Sequence, residues 1–298
     1  MSNQIHIIQN AITTTISEIF RGDFRRICEV KKAVLHLEAI YFCHGTCYLL
    51  KRENMPIKDQ LALYQRIELI PQSTTEFFEN NRECIINNWP EESALAAKPE
   101  ILYDALLASE FCVQPERVGY KIDKVSRDIA GAYYTSSDFS AQITYRALES
   151  YMDRKRRRAI DSDSFACCNE YENITFLDYS CGCGEFLLAV IQYFDNYVLG
   201  YSRKKLATQL RGVDVNPIAL MITIARIVSA VEAEDDENLL REVAKNFIVG
   251  NPLLHSDKIA PLEVRFDNFA LNRRNQLLGT GTTKPGRVRK SAMGKAPL

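Results

Sequence analysis

The sequence predicts an α/β protein in which a helical N-terminal domain precedes a parallel sheet. Glycine is scarce in the first part of the chain, where Gly22 and Gly45 are the only two before Gly119, and this scarcity is typical of a helical bundle. From about residue 174 onward, short apolar runs that end on a polar residue alternate with apolar helical segments. This alternation indicates crossover units and therefore a parallel sheet.

Three segments of the first part favour helices. Ile7–Phe20 has apolar residues at helical spacing, Val34–Leu50 is apolar and rich in aromatic residues, and Ser93–Leu107 is a further helical stretch. Prolines punctuate the region between them. We therefore place a helical N-terminal domain at residues 1–125 and expect it to be mostly helical up to about residue 115.

Three strands and two crossover helices are predicted in the second part. The strands are Ile174–Asp178, Leu210–Asp214 and Asn246–Val249, and the helices are Phe186–Phe194 and Pro217–Val231. A doubly wound sheet needs about six or seven strands, so we expect the sheet domain, residues 126–278, to be incomplete at its C-terminal end. Residues 279–298 are rich in Gly, Thr, Lys and Pro, which predicts a disordered basic tail.

The composition excludes several classes of protein. Of the 298 residues, 46% are hydrophobic and 25% are charged, the balance of a globular protein with a core. No stretch approaches the roughly 18 apolar residues of a membrane helix. We expect no secretory segment, so the nine irregularly spaced cysteines favour reduced thiols in a cytoplasmic protein. Because the formal net charge is -1, any contact with nucleic acid must come from a local basic surface.

The strongest motif follows the first predicted strand of the sheet. The strand ends at Asp178, and Gly182 and Gly184 then allow the backbone to turn tightly and approach a ligand before a helix starts near Glu185. The alternative is a generic strand-to-helix turn of any doubly wound domain. A phosphate-binding loop would carry a third glycine or a Gly-Lys-Ser/Thr ending, and this loop has neither. The acid before the glycines favours a ligand with an amino group over one with a pyrophosphate.

The second strand also ends on an acid, Asp214, within the segment Gly212–Pro217. An acid at this point can hold a ribose diol through two hydrogen bonds. The alternative is a helix cap, because Asp214 or Asn216 could cap the helix that starts at Pro217. The two interpretations are compatible.

Two further polar segments could contribute to the same site. Asn251 follows the third strand and could reach an adenine edge, although an ordinary Gly-Asn-Pro turn is the simpler interpretation. Upstream, Tyr134 and Thr135 could pack on a cofactor and bond to it. The alternative there is a helix entry that Ser137 or Asp138 caps, with the tyrosines in the core.

Taken in order, these four motifs resemble those of the gamma-class adenine-N6 DNA methyltransferases, which include the modification subunits of type I restriction systems and the fused type IIG enzymes. The family's Gly-x-Tyr-Tyr-Thr-Pro motif corresponds to residues 131–136, and its Asp-Pro-x-Cys-Gly-x-Gly-x-Phe loop corresponds to Asp178–Phe186. Its Gly-x-Asp-x-x-Pro strand corresponds to Gly212–Pro217, and its Gly-Asn/Asp-x-Leu strand end to Gly250–Leu253. The resemblance covers residues 95–272.

The resemblance implies a partial Rossmann-like sheet of the class I methyltransferases that binds S-adenosylmethionine. It implies that Asp178 lies near the methionine amino group, that Asp214 binds the ribose hydroxyls and that Asn251 approaches the adenine. The two glycines of the loop would turn beneath the cofactor, and Tyr134 and Thr135 would flank its methionine carboxylate or sulfonium. The implied cofactor-binding residues are Tyr134, Thr135, Asp178, Cys181, Gly182, Gly184, Phe186, Asp214 and Asn251.

The catalytic motif departs most from the family. The family's Asn/Asp-Pro-Pro-Tyr/Phe motif bonds the target amino group and stacks on a flipped base. Here Asn272 occupies the first position, but Arg273 and Arg274 replace the prolines and Asn275 replaces the aromatic ring. The segment Asn251–Leu254 is a second candidate for this motif, and it also lacks the ring.

The resemblance therefore implies an S-adenosylmethionine-dependent adenine-N6 DNA methyltransferase, or a truncated or split subunit of one, in a restriction-modification or phage-defence system. The expected partners are DNA and a second protein chain that completes the sheet, the catalytic loop and target recognition. The alternative is a catalytically inactive methyltransferase-like binding protein or a gene remnant. A dinucleotide-binding dehydrogenase domain is disfavoured by the missing third glycine.

Two other clusters have structural alternatives. His36 and the segment Cys43–Cys47 could suggest a metal site, but a buried helix face is favoured because neither a Cys-x-x-Cys pair nor a second paired site exists. The basic run Arg154–Arg158 could contact DNA phosphates or could be a solvated helix end.

Overall fold

The computed structural model describes residues 2–122, 135–161 and 174–250. In these ranges the protein is a mixed α/β structure, mostly helical, with a three-stranded parallel sheet and a separate two-stranded hairpin. Tyr134, Asn251, Asn272 and the tail 279–298 lie outside the described residues. Their proposed roles therefore stay predictions.

Seven helices and one hairpin follow each other within residues 2–122. The helices are α1 (Ser2–Ile19), α2 (Ile27–Leu49), α3 (Ile57–Arg66), α4 (Gln72–Asn80), α5 (Arg82–Asn87), α6 (Glu92–Leu95) and α7 (Pro99–Leu107), and the strands are β1 (Ser109–Gln114) and β2 (Arg117–Ile122). The predicted helical stretch that ends at Leu107 is two helices, because Pro99 occupies the start of α7 and a proline cannot continue a helix from the preceding turn.

The antiparallel hairpin β1–β2 was not predicted. Its strands meet at a turn where Gln114 pairs with Arg117. Phe111 is buried, and its ring meets that of Tyr120 edge-on at 4.9 Å. Apolar residues alternate with polar ones or glycine in β2, which is a strand signal. Strand β1 has no such alternation, and runs of six residues were too short to stand out.

Helix α2 forms the centre of the helical region. Every residue from Ala33 to Cys47 is buried, as expected for a helix that is apolar on nearly all sides. Its aromatic residues pack on rings of neighbouring segments, and Tyr41 meets Trp89 edge-on at 5.2 Å. Even so, no helix in the described ranges is long and apolar enough to span a membrane.

The second region contains the parallel sheet and its helices. Its elements are α8 (Ser137–Asp161), β3 (Phe176–Asp178), α9 (Glu185–Tyr197), α10 (Arg203–Gln209), β4 (Leu210–Asp214), α11 (Pro217–Ala230), α12 (Glu237–Ala244) and β5 (Phe247–Val249). The three predicted strands and the two predicted crossover helices are confirmed. The sequence also predicts a helix over Ala141–Met152, and α8 extends beyond it at both ends. The short helices α10 and α12 were not predicted.

The three strands lie in the order β3-β4-β5, and all of them run parallel. Asp178 at the end of β3 pairs with Gly212, and Asp214 at the end of β4 pairs with Val249. The crossover helices α9 and α11 contact each other and the sheet, so they cover the same face. The carboxyl ends of the strands meet at one edge, where both acids lie. Three strands establish a parallel sheet with crossover helices, and the Rossmann-like assignment stays a prediction.

The two faces of this sheet differ in their cover. Phe247 and Val249 point toward the helices and are buried, while Ile248 between them is 43% exposed. Strand β3 shows the same alternation, with Leu177 46% exposed. A parallel sheet is usually covered on both faces. In the described residues, the helices α9 and α11 cover one face of this sheet.

Helix α11 joins the two regions of the molecule. It packs against β4 and β5 and also against α2 and α7. Buried side chains of both regions belong to one hydrophobic core, and Arg52 donates a hydrogen bond to the carbonyl of Glu234 at 2.9 Å. The predicted domain boundary at residue 125 lies outside the described ranges, and the division into domains stays a prediction.

Candidate functional site

Two glycines with left-handed backbone shape the loop between β3 and α9. Gly182 has φ +50° and Gly184 has φ +87°, a region that other residues rarely adopt. A Cβ atom on Gly184 would also lie 2.7 Å from Cγ2 of Thr223 in α11. Gly184 is therefore required by its backbone conformation and by the close approach of α11, whereas Gly182 is required by its backbone alone.

Hydrogen bonds fix this loop to β4 and α11. The amide of Gly182 donates to Oδ2 of Asp214 at 2.9 Å, and the amide of Cys181 donates to the carbonyl of Val213 at 3.1 Å. The hydroxyl of Thr223 donates to the carbonyl of Gly182 at 2.6 Å. The loop is thus held from two sides, and its conformation depends on elements that come later in the chain.

Cys181 fills the space between the loop and the sheet. Its side chain is buried, and a Cβ atom on Gly212 of β4 would lie 2.7 Å from its sulfur and 2.6 Å from the ring of Phe247. Glycine at position 212 therefore has a packing reason. Burial raises the pKa of the Cys181 thiol, and the nearby Asp214 and Asp178 carboxyls add to the shift. A thiol in this state is a packing group and a poor nucleophile.

Asp178 at the tip of β3 is only partly satisfied. Its Oδ1 accepts a hydrogen bond from the amide of Ser180 at 3.0 Å. Its Oδ2 is buried and has no hydrogen-bond partner in the described residues. Burial raises the pKa of the Asp178 carboxyl, and the bond from Ser180 opposes that shift. A buried acceptor without a partner is costly, and a donor group beside this oxygen would remove that cost.

Asp214 at the tip of β4 is more fully bonded. Oδ2 accepts from Gly182, and Oδ1 accepts from the amide of Asn216 at 2.9 Å. Burial raises the pKa of the Asp214 carboxyl, these backbone bonds oppose the shift, and the charge of Asp178 adds to it. The helix cap is Asn216, whose side chain accepts from the amide of Ile218 at 3.0 Å. The capping interpretation is thus confirmed for Asn216, and the carboxylate of Asp214 organises the glycine loop.

Two further predicted site residues, Phe186 and Thr135, lie in the described ranges. Phe186, the second residue of α9, is half-buried. Thr135 is half-buried and precedes α8, which packs along α9. The amide of Gly250 donates to the backbone carbonyl of Asp214 at 2.8 Å, so the chain passes the tip of β4 immediately before Asn251.

Arg226, which contacts the glycine loop, was not predicted from the sequence. Its Nη1 donates to the carbonyl of Cys183 at 2.6 Å and lies 2.6 Å from Oε1 of Glu185. Its Nη2 lies 3.7 Å from Oε1 of Glu100 in α7. Arg226 is the only charged residue in the sequence of α11, and a charge inside an apolar helix needs buried partners, so this signal could have been found.

His36, Cys43, His44 and Cys47 of α2 are all buried. Nδ1 of His36 lies 2.9 Å from Oγ1 of Thr74, and Nδ1 of His44 lies 2.9 Å from Oε1 of Gln60. The described ranges contain no group of three or more side chains that could hold a metal ion. The geometry favours the buried helix face that the sequence indicated.

The basic run lies in the last turns of α8. Arg154 and Arg157 are exposed, Nε of Arg154 donates to the carbonyl of Ser150 at 3.2 Å, and the ammonium of Lys155 lies 5.7 Å from the ring centre of Tyr151. These local contacts suit a solvated helix end and leave the arginines accessible, so contact with DNA stays a prediction.

Comparison with protein-family models, with curated proteins and with solved structures found no match. The residues at the carboxyl edge of the sheet are therefore the features that indicate a function. Two of them, Asp178 and Asp214, are acids whose charges interact, and they flank a glycine loop that is fixed in place.

Proposed function

We propose that this chain is the S-adenosylmethionine-binding part of an adenine-N6 DNA methyltransferase, or a split or truncated subunit of one, that acts in restriction-modification or phage defence. The single observation that carries the proposal is the buried, unpartnered Oδ2 of Asp178. It lies at the carboxyl edge of a parallel sheet, where ligands of open α/β folds bind.

The charges at this edge favour a cationic ligand group. Asp178 and Asp214 repel each other, and burial disfavours the charged form of both carboxyls. A positive group between them would reduce both costs, whereas a pyrophosphate would add to the repulsion. S-adenosylmethionine carries an ammonium group as well as the sulfonium that supplies the methyl group for transfer. Asp178 fits the ammonium, because its free oxygen needs a donor.

The strand order also supports the proposal. In a doubly wound sheet, one half has its first three strands side by side in chain order, and the ligand lies where the order reverses, beside the first of them. Here β3, β4 and β5 lie side by side in chain order. The glycine loop follows β3, and in such a fold the loop after the first of these strands binds the ligand.

Each residue has a role in the proposed reaction. Asp178 accepts a hydrogen bond from the ammonium group, and the loop around Gly182 and Gly184 lies beneath the ligand. Asp214 fixes the loop and offers its remaining lone pairs to the ribose hydroxyls. Asn251, which follows the bond from Gly250 to Asp214, would approach the adenine ring. The target base would be flipped toward a catalytic motif. Asn272 is the candidate in this chain, and its motif is degenerate.

The proposal retains both partners that the sequence suggested. A second protein chain would supply the catalytic loop and target recognition, and the exposure of Leu177 and Ile248 supports the sheet face as its docking place. DNA would meet the accessible arginines of α8, whose charges can neutralise phosphates.

One observation favours a second candidate function, a catalytically inactive methyltransferase-like binding protein. Both oxygens of Asp214 already accept backbone hydrogen bonds. If the ribose diol cannot reach the one lone pair that each oxygen retains, it has no acceptor here, and the edge would hold a smaller cationic ligand. The degenerate motif at Asn272 agrees with the absence of catalysis in this candidate.

Calorimetric titration with S-adenosylmethionine tests the proposal. We expect saturable binding to the wild-type chain, weakened at least about tenfold in Asp178→Asn because a charge-assisted hydrogen bond is lost. The matched control is Asp59→Asn, which changes an exposed acid in α3 and should bind like the wild type. A folded wild-type chain that binds no S-adenosylmethionine would overturn the proposal.

A transfer assay separates the two candidates. The wild-type chain is incubated with methyl-tritiated S-adenosylmethionine and adenine-containing DNA, alone and with a co-expressed partner subunit. N6-methyladenine in the digested DNA supports the methyltransferase. Binding without transfer under both conditions supports the inactive binding protein.

A further inference from the structure

Arg226 connects the glycine loop with the helical N-terminal region. Its guanidinium touches three groups at once, namely the carbonyl of Cys183 in the loop, the carboxylate of Glu185 at the start of α9, and the carboxylate of Glu100 in α7. The side chain of Arg226 is 15% exposed and those of both glutamates are 9% exposed. The contact is therefore shielded from water, where such bonds are stronger than at a surface.

The position of the Arg226 guanidinium allows it to hold the loop in one conformation. Nη1 lies 2.6 Å from both the carbonyl of Cys183 and the carboxylate of Glu185, so one nitrogen bridges the residues on either side of Gly184. Gly184 is also the position where the chain leaves the left-handed conformation and enters α9. The guanidinium contacts the loop through Nη1 and Glu100 through Nη2. These donors lie in a fixed plane, and the single nitrogen of an ammonium group cannot reproduce that fork.

We propose that Arg226 is a positioning residue that sets the conformation of the glycine loop and, through Glu100, makes that conformation depend on the helical N-terminal region. The loop carries the ligand-binding edge, so the N-terminal region governs ligand affinity without touching the ligand. The effect of Arg226 on loop conformation follows from its contacts, whereas its effect on affinity for S-adenosylmethionine rests on the proposed function.

A purely structural role makes a different prediction. If Arg226 only neutralised two buried carboxylates, lysine would serve nearly as well, since it restores the charge. If Arg226 positions the loop, lysine restores the stability of the chain and leaves the loop loose. Arg226→Lys therefore separates the two roles.

The experiment compares hydrogen exchange of the loop amides, residues 181–186, in the full-length wild type, Arg226→Lys and Glu100→Gln. The matched control is Arg241→Lys, in which an exposed arginine of α12 that lies 2.6 Å from Glu237 is changed in the same way. We expect loop exchange about tenfold faster in Arg226→Lys, a smaller increase in Glu100→Gln, whose contact is 3.7 Å, and none in the control. The denaturation midpoint should stay near that of the wild type in all three variants.

Titration with S-adenosylmethionine completes the test. We expect affinity to fall about tenfold in Arg226→Lys and to stay unchanged in Arg241→Lys. Wild-type loop exchange in a folded Arg226→Lys chain would overturn the inference. If that variant does not fold, wild-type exchange in folded Glu100→Gln overturns it. A wild type that binds no S-adenosylmethionine, with a loop that still loosens in Arg226→Lys, would refute the proposed function and leave the positioning role in place.

Discussion

The buried pair His44 and Gln60 of the helical region and the buried acid Asp178 at the carboxyl edge of the sheet differ in how their polar groups are bonded. In α2, the imidazole of His44 meets Gln60, and the amide of Gln60 donates to the carbonyl of Met55 at 2.9 Å. At the sheet edge, Asp178 keeps one buried oxygen without a partner among the described residues. In the first arrangement the side chains of His44 and Gln60 bond to each other, and in the second one oxygen of an acid has no partner among the described residues.

We propose that this difference separates buried polar groups that serve packing from buried polar groups that bind a ligand. A buried polar group that finds its partner within the chain contributes to a unique packing. A buried acid that does not find one lowers stability, and at the edge of a parallel sheet it is a candidate for a ligand's donor group. The glycine loop shows the same contrast. It is fixed by Asp214, Thr223 and Arg226, while Oδ2 of the neighbouring Asp178 has no partner among the described residues.

The largest effect is expected from Gly184→Ala. The new Cβ atom would meet Cγ2 of Thr223 at 2.7 Å in a backbone with φ +87°, so strain and overpacking add. We expect the free energy of unfolding to fall by about 3 kcal/mol, measured by chemical denaturation. Gly119→Ala is the control, since its Cβ atom would meet nothing within 4 Å. Equal stability of the two variants would contradict the close approach of α11 to the loop.

A smaller effect is expected from Gln60→Leu in the helical region. The change leaves His44 and the carbonyl of Met55 without their bonds, so we expect the free energy of unfolding to fall by about 2 kcal/mol. Affinity for S-adenosylmethionine should not change, because these groups are structural. The control Gln72→Leu alters an exposed residue of α4 and should be nearly neutral in denaturation. Loss of ligand binding in Gln60→Leu would remove the distinction between the two regions.

The smallest change in stability is expected from Asp178→Asn, and it should have the opposite sign. Burial raises the pKa of Asp178 in the folded chain above its ordinary value of 3.8. The wild type is therefore favoured at low pH and loses that stability as pH rises through the raised pKa. We expect the difference in free energy of unfolding to move in favour of Asp178→Asn between pH 4 and pH 7. A difference that is constant with pH would mean that the carboxyl is not desolvated.

Much of the sheet could be predicted from the sequence, since apolar runs that end on an acid mark parallel strands. The predicted strand Leu210–Asp214 matches the observed one. The meeting of Asp178 and Asp214 at one edge followed from the same logic, because parallel strands present their carboxyl ends together.

The parts that could not be predicted depend on tertiary contacts. Glu100 and Arg226 are far apart in the chain, and only the packing of α7 on α11 brings them together. The engagement of Asp214 by the amide of Gly182 depends on the path of the loop, and sequence patterns carry no information on that path. The position of Asp178 at the end of a strand could be predicted from the sequence, whereas the lack of a partner for its Oδ2 could be seen only in the structure.

The most direct test of the central claim is a carbon-13 NMR titration of the Asp178 carboxyl, with and without S-adenosylmethionine. In the free chain we expect a pKa above the ordinary range for aspartate, because burial disfavours its charge. With ligand present, the account predicts that this pKa falls, since an ammonium next to Oδ2 favours the carboxylate. An Asp178 pKa that is the same with and without saturating S-adenosylmethionine would contradict the account.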